Sequence, residues 1–195
     1  MMKIKTSLFY TSHLNIPDLI RVLNMKTKQR YYLLFLLISS VANANHNDCI
    51  YEAAQCFNIN PLLIKAIIWQ ESNNRQYVVN VNKNKTHDVG IMQINSIHFG
   101  TLKSLGISEH ELRKSSCANV FSGSWILNQV IKNNGYSWEA IGKYHSKTPY
   151  YRDRYASRLI TILLEEHRFI NNIAVLYQPG IREKFPCKEP SSFNK

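Results

Sequence analysis

Glu71 ends an almost wholly apolar run, PLLIKAIIWQE from Pro61, in which Lys65 is the one earlier charge. Two effects act on a carboxyl group placed there: burial against Ile67 and Ile68, and the negative pole of the helix that the run predicts. Both disfavour the charged form and raise the pKa. A carboxylic acid that keeps its proton near neutral pH is suited to hand it to a leaving oxygen. The plainer reading is a solvated glutamate just past a helix end, and the other segments of the chain must decide between the two.

Other chemistry is thinly represented. The seven histidines form no H-E-x-x-H and no clustered ligand spacing, so neither a metal site nor a cofactor is expected. The four cysteines, Cys49, Cys56, Cys117 and Cys187, make no C-x-x-C, and in an exported chain an even count favours disulfides, with three pairings open. Export is suggested by MKTKQRYYLLFLLISSVANAN from Met25: a basic start, an apolar stretch from Tyr31 to Ile38, and a small-residue cleavage pattern ending at Ala44. The stretch is short for a membrane span, which needs roughly 20 apolar residues. Residues 1–24 fit poorly in front of such a signal, so translation from Met25 is one reading, and a surviving extension with an internal anchor the other. Residues 1–44 are thus an extension plus signal peptide, which places the mature protein in the periplasm.

Without residues 1–44, 18 basic residues stand against 12 acidic ones, a net charge of +6. The basic residues are scattered and no helix-turn-helix, finger or RNA-binding signature appears, which argues against nucleic acid. Attraction to an anionic envelope surface is the milder consequence.

The elements that would position Glu71 are mainly helical. Asp48 and the apolar positions Ile50, Ala53, Ala54 and Phe57 predict a first helix, and Asn60-Pro61 opens the second. YVVNV within residues 73–88 predicts a small hairpin or irregular loop. Ser96 is read as the cap of a short helix, and Ser108 with Glu111 as a capping box. A long core helix runs from Cys117 to Lys132 with a Gly135 stop, Ser137 caps the next, and Pro149 opens an amphipathic helix burying Tyr155, Leu159, Ile162 and Leu163. There Tyr155 is read as core, while Tyr150, Tyr151 and Arg154 either face a ligand or form a solvated face. One mainly α (α+β) domain is expected over 45–170, with 171–195 as a tail of little periodicity.

Three segments in this order, ES at 71–72, GIMQIN at 90–95 and WEAIGKYHS at 138–146, resemble the soluble-lytic-transglycosylase family with its lysozyme-like fold. The likeness is greatest to its small specialised members that serve type III and type IV secretion, conjugation and type IV pilus systems, and covers roughly Cys49 to Leu164. It implies cleavage of peptidoglycan glycan strands between N-acetylmuramic acid and N-acetylglucosamine without water, leaving a 1,6-anhydro end. It implies Glu71 as the single catalytic carboxylate, with Ser72, Gly90, Met92, Gln93, Tyr144 and His145 at the substrate, Gln93 lining the cleft and Tyr144 orienting the glutamate. It also implies a Cys49–Cys117 disulfide; the pairing of Cys56 and Cys187 stays open. The chain departs from the family's A-Y-N-A-G at Lys143-Tyr144-His145-Ser146-Lys147, where a histidine adds a titratable group.

In that reading Glu71 first protonates the glycosidic oxygen and then, as carboxylate, takes the proton of the sugar's own C6 hydroxyl. One carboxylate suffices because the nucleophile is tethered. Asp88 offers an alternative: by positioning a water it would make the protein a lysozyme-type hydrolase with two carboxylates. The preferred reading of Asp88 is a turn-former bonding its own backbone. A noncatalytic glycan-binding assembly factor is the alternative of another class. The expected partners are glycan strands and components of an envelope-spanning machine, with the protein itself a monomer.

Overall fold

The computed structural model describes residues 48–187. The expected signal peptide, its cleavage after Ala44, the start at Met25 and the last residues of the tail lie outside these.

Asp48 caps the first helix, α1 (Cys49–Phe57), by accepting the Ile50 N–H at 2.9 Å, and Asn58 ends it in the left-handed conformation asparagine tolerates. The next helix, α2 (Pro61–Ser72), begins with Asn60 accepting the Leu62 N–H and proline at the first position. Ile64, Ala66, Ile67 and Ile68 are fully enclosed, which is why apolar residues occupy nearly every face of it. Lys65 is buried as well; its ammonium donates to the Asn171 carbonyl at 3.1 Å and lies 5.5 Å from the Tyr51 ring centroid.

The expected hairpin is present as β1 (Val79–Val81) and β2 (His87–Val89). A third strand, β3 (Ile94–Asn95), completes a small antiparallel sheet in the order β1-β2-β3. Its two residues are too few to show a period in sequence. The register pairs Asn80 with Asp88 and Asp88 with Asn95, so these three polar side chains share one face. Ser96 is not a cap: Asn95 takes that role by accepting the Ile97 N–H at 3.0 Å, and Ser96 is the first residue of the 3₁₀ turn Ser96–His98.

Two short helices follow, α3 (Phe99–Ser104) and α4 (Glu109–Lys114), the latter opened by the reciprocal capping box of Ser108 and Glu111. The long helix α5 (Ser116–Asn134) packs on α1 and α4 and on the short α6 (Trp138–Gly142), which Ser137 caps. Helix α7 (Pro149–Glu165) lies against α2 and α6 and is followed by α8 (His167–Asn171). Tyr155, Leu159 and Ile162 of α7 are buried as expected, whereas Leu163 is only half-buried.

The domain boundary expected at 170 falls too early. Ile173, Val175, Ile181 and Phe185 are part of the core, and the Phe185 ring packs 5.9 Å from Phe57 and 5.6 Å from Phe121. The Cys49 N–H donates to the Val175 carbonyl at 2.7 Å. Disulfides Cys49–Cys117 and Cys56–Cys187 tie α1 to α5 and to this C-terminal segment. Isolated apolar residues in an irregular segment carry no periodic signal, although they bury as well as helical ones.

Candidate active site

Glu71 is the penultimate residue of α2, and Asn73 ends that helix in the left-handed conformation. The packing of α7 on α2 brings the Tyr155 hydroxyl to the carboxyl group, donating to Oε1 at 2.6 Å. Burial pushes the Glu71 pKa up to about 7; the Tyr155 hydrogen bond opposes this and the nearby Asp88 charge adds to it. The residue nevertheless keeps some exposed surface, all that a proton donor needs to reach a ligand in the cleft. The phenols of Tyr155 and Tyr144 are held well above their usual range, first by burial and then by the Glu71 charge, so both remain donors.

Glu71 opens onto a cavity of about 820 Å³ whose lining includes Asp88, Gln93, Asn95, Tyr144, His145 and Tyr151. A neighbouring hollow of about 580 Å³ around Trp125 and Gln129 shares His98 and Ile126 with it, but no carboxylate lines that hollow. The chemistry therefore belongs to the larger cavity. Among the described residues, no group of three or more His, Cys, Asp or Glu side chains is gathered to hold a metal ion.

Ser72, Gly90 and Met92, expected at the substrate, lie beneath the cleft. Ser72 is buried and its hydroxyl donates to the Ile91 carbonyl at 2.8 Å, fastening the end of α2 to the turn that follows β2. Gly90 sits at φ +79°, and a Cβ there would fall on the Asn119 amide. Met92 is fully enclosed, packed where Gly123 of α5 leaves room for it. Asn119, itself fully buried, clamps this turn: it accepts the Met92 N–H at 2.8 Å and donates to the Val89 and Leu112 carbonyls at 2.9 and 3.0 Å.

Gln93, at φ +49°, does line the cleft. Its amide donates to the Gly90 carbonyl at 2.8 Å and accepts from Asn80 at 2.7 Å. Tyr144 lines the cleft too, but its hydroxyl donates to the Met92 carbonyl at 2.9 Å. The hydrogen bond that orients Glu71 comes instead from Tyr155, a residue read from sequence as core alone. The signal that could have found it is its polar tip: a tyrosine on a buried stripe needs a partner for its hydroxyl.

Asp88 is not a turn-former. It lies within β2, and its two carboxylate oxygens accept from Asn82 at 2.9 Å and Asn95 at 2.7 Å. His145 lines the cleft and stacks on the Tyr155 ring, with centroids 4.9 Å apart and planes inclined by 3°. The whole arrangement, a carboxyl that titrates near neutral pH, held by a phenol on the floor of a polar cleft, can donate a proton to an ether oxygen and afterwards receive one.

The chain also resembles known proteins. The sequence pattern of the transglycosylase SLT domain matches residues 48–152. "Invasion protein IagB" of Salmonella typhimurium (strain SL1344) is 34% identical over 144 residues, covering 74% of this chain and 90% of that protein. "Protein IpgF" of Shigella sonnei is 36% identical over 115 residues, 59% of this chain and 76% of that one. "X polypeptide" of Escherichia coli (strain K12) is 32% identical over 114 residues, 58% and 66% of the two chains. The matched span runs from the cap of α1 through Glu71, the clamped turn and Tyr144 into α7, and with that coverage the chain belongs to the transglycosylase SLT family and has its lysozyme-like fold.

Proposed function

We propose that the protein is a periplasmic peptidoglycan lytic transglycosylase that cleaves the β-1,4 bond between N-acetylmuramic acid and N-acetylglucosamine and leaves a 1,6-anhydro end. The observation that carries this reading is Glu71: a carboxyl pushed up to about pH 7, bonded by Tyr155, on the floor of a cleft large enough for sugar rings. Glu71 protonates the glycosidic oxygen as the bond to the anomeric carbon breaks. The resulting carboxylate takes the proton of the C6 hydroxyl as that oxygen closes on the oxocarbenium-like carbon. Gln93 and Tyr144 meet the glycan, while Ser72, Gly90 and Met92 hold the floor. Kinship with an invasion protein supports a role in opening the wall locally for an envelope-spanning secretion machine, with conjugation and pilus machines as the same task elsewhere.

The second reading, hydrolysis through Asp88, draws on that residue's place in the same cleft and its effect on Glu71. Against it, both Asp88 oxygens already accept amide hydrogen bonds, which tie the carboxylate to the side chains of Asn82 and Asn95 rather than to a water. Mass spectrometry of soluble products from peptidoglycan sacculi separates the readings. Anhydro-ended muropeptides from the wild type and none from Glu71→Gln are expected. Reducing ends would establish hydrolysis, and no product from either protein a binding role.

A further inference from the structure

We infer that His145 is a positioning residue, whose ring fixes the Tyr155 phenol against Glu71 by parallel stacking. This rests on the catalytic reading of Glu71 above. The geometry is a chain of two contacts: imidazole on phenol at 4.9 Å and 3°, then phenol hydroxyl to carboxyl at 2.6 Å. The Tyr155 oxygen lies on the axis of its ring, so its reach to Glu71 is set by χ1, and a flat ring laid against the face of the phenol blocks the swing about χ1 that would carry the hydroxyl away. The other side of the His145 ring is open to the cleft, so its packing role is local to Tyr155.

The groups around the imidazole are Asp88 from β2, Glu71 from α2, Tyr155 from α7 and Tyr144 from its own segment. Partial burial lowers the His145 pKa, against the pull of the Asp88 charge, which keeps the ring neutral at the pH where Glu71 titrates. A neutral ring stacks on the phenol without placing a positive charge near the carboxyl, so the raised pKa of Glu71 is left intact. An asparagine side chain, as in the family's A-Y-N, has no ring to lay on Tyr155. Position 145 therefore carries a function in this chain that its motif does not describe.

Carbon-13 NMR titration of the glutamate carboxyls, with release of anhydro muropeptides measured alongside, tests this on the full mature protein. In His145→Ala the hydrogen bond that lowers the Glu71 pKa loosens, so the Glu71 midpoint rises by about 0.5 pH unit. The product rate per folded molecule falls about tenfold, in kcat rather than KM. His145→Phe keeps a ring and holds both values within about twofold. Thermal midpoints of all three proteins agree, because the side chain is on the surface. A raised KM with an unmoved Glu71 midpoint would overturn the inference and make His145 a glycan contact, as would a His145→Phe protein as impaired as His145→Ala. If the Glu71 midpoint shifts while even the wild type releases no anhydro product, the positioning role stands and the transglycosylase reading fails.

Discussion

Two regions of this domain are held together in opposite ways. Around α1 and the C-terminal segment, Phe57, Phe121 and Phe185 interlock and two disulfides close loops of 68 and 131 residues. Around Glu71 the apolar packing is joined by a polar framework: Tyr155, Asn119, Tyr144, Ser72 and the Asn82–Asp88–Asn95 set hold the floor by hydrogen bonds. Burying polar groups and a carboxyl is costly. The difference teaches that the first region supplies stability the second uses, and that damage to each should have a different signature.

The largest expected effect is that of Glu71→Gln, which lowers the rate of anhydro product release by about 10³-fold without unfolding the protein. The same variant should be more stable than the wild type at pH 8. Between about pH 4.5 and 7 the unfolded chain releases the Glu71 proton while the folded one keeps it, so the wild type loses stability as pH rises through that window. The glutamine variant avoids this loss, on the order of 3 kcal/mol, so its advantage in urea unfolding should be present at pH 8 and absent at pH 4. Wild-type kcat/KM should be level below pH 7 and fall above it, as the acid form of Glu71 is lost.

The opposite damage is Cys56→Ser with Cys187→Ser. Removing that closed loop should cost about 2–4 kcal/mol in equilibrium unfolding, while the rate per folded molecule stays within about twofold. A large loss of rate in the still-folded variant would show that the two regions are coupled.

Smaller effects sharpen the comparison within the cleft. Tyr155→Phe removes the hydrogen bond that lowers the Glu71 pKa, so the alkaline limb of the rate profile should move to higher pH and kcat should fall about tenfold. Asp88→Asn should move that limb slightly the other way, since the Asp88 charge raises Glu71. Its rate should change by less than about threefold, whereas a water-positioning Asp88 would make the loss about 10²-fold.

How far the sequence could be read follows from the reach of its signals. Caps at Asn60, Ser108 and Ser137 and the stop at Gly135 act over three or four residues, and each sits where it was expected. The contacts that build the cleft span 84 residues for Tyr155 to Glu71, 52 for Tyr144 to Met92 and 27 for Met92 to Asn119. No local period encodes such pairs. Gly90-Ile91-Met92-Gln93 was legible as one segment, yet which of its residues faces the cleft was not: Gly90 and Met92 face Asn119 and Gly123, and Gln93 turns to the cleft. The segment after 170 was missed for a related reason, since Ile173, Val175 and Ile181 bury without forming a helix or strand.

The central claim is that one carboxyl group, poised near neutrality by burial and a single phenol, serves as both acid and base. Its most direct test is the titration of Glu71 itself, followed by carbon-13 NMR of labelled glutamate carboxyls and assigned by the signal missing in Glu71→Gln. A midpoint at about pH 7 is the expected result. A midpoint in the ordinary glutamate range near 4.5 would contradict it, since the group would then hold almost no proton to donate at neutral pH.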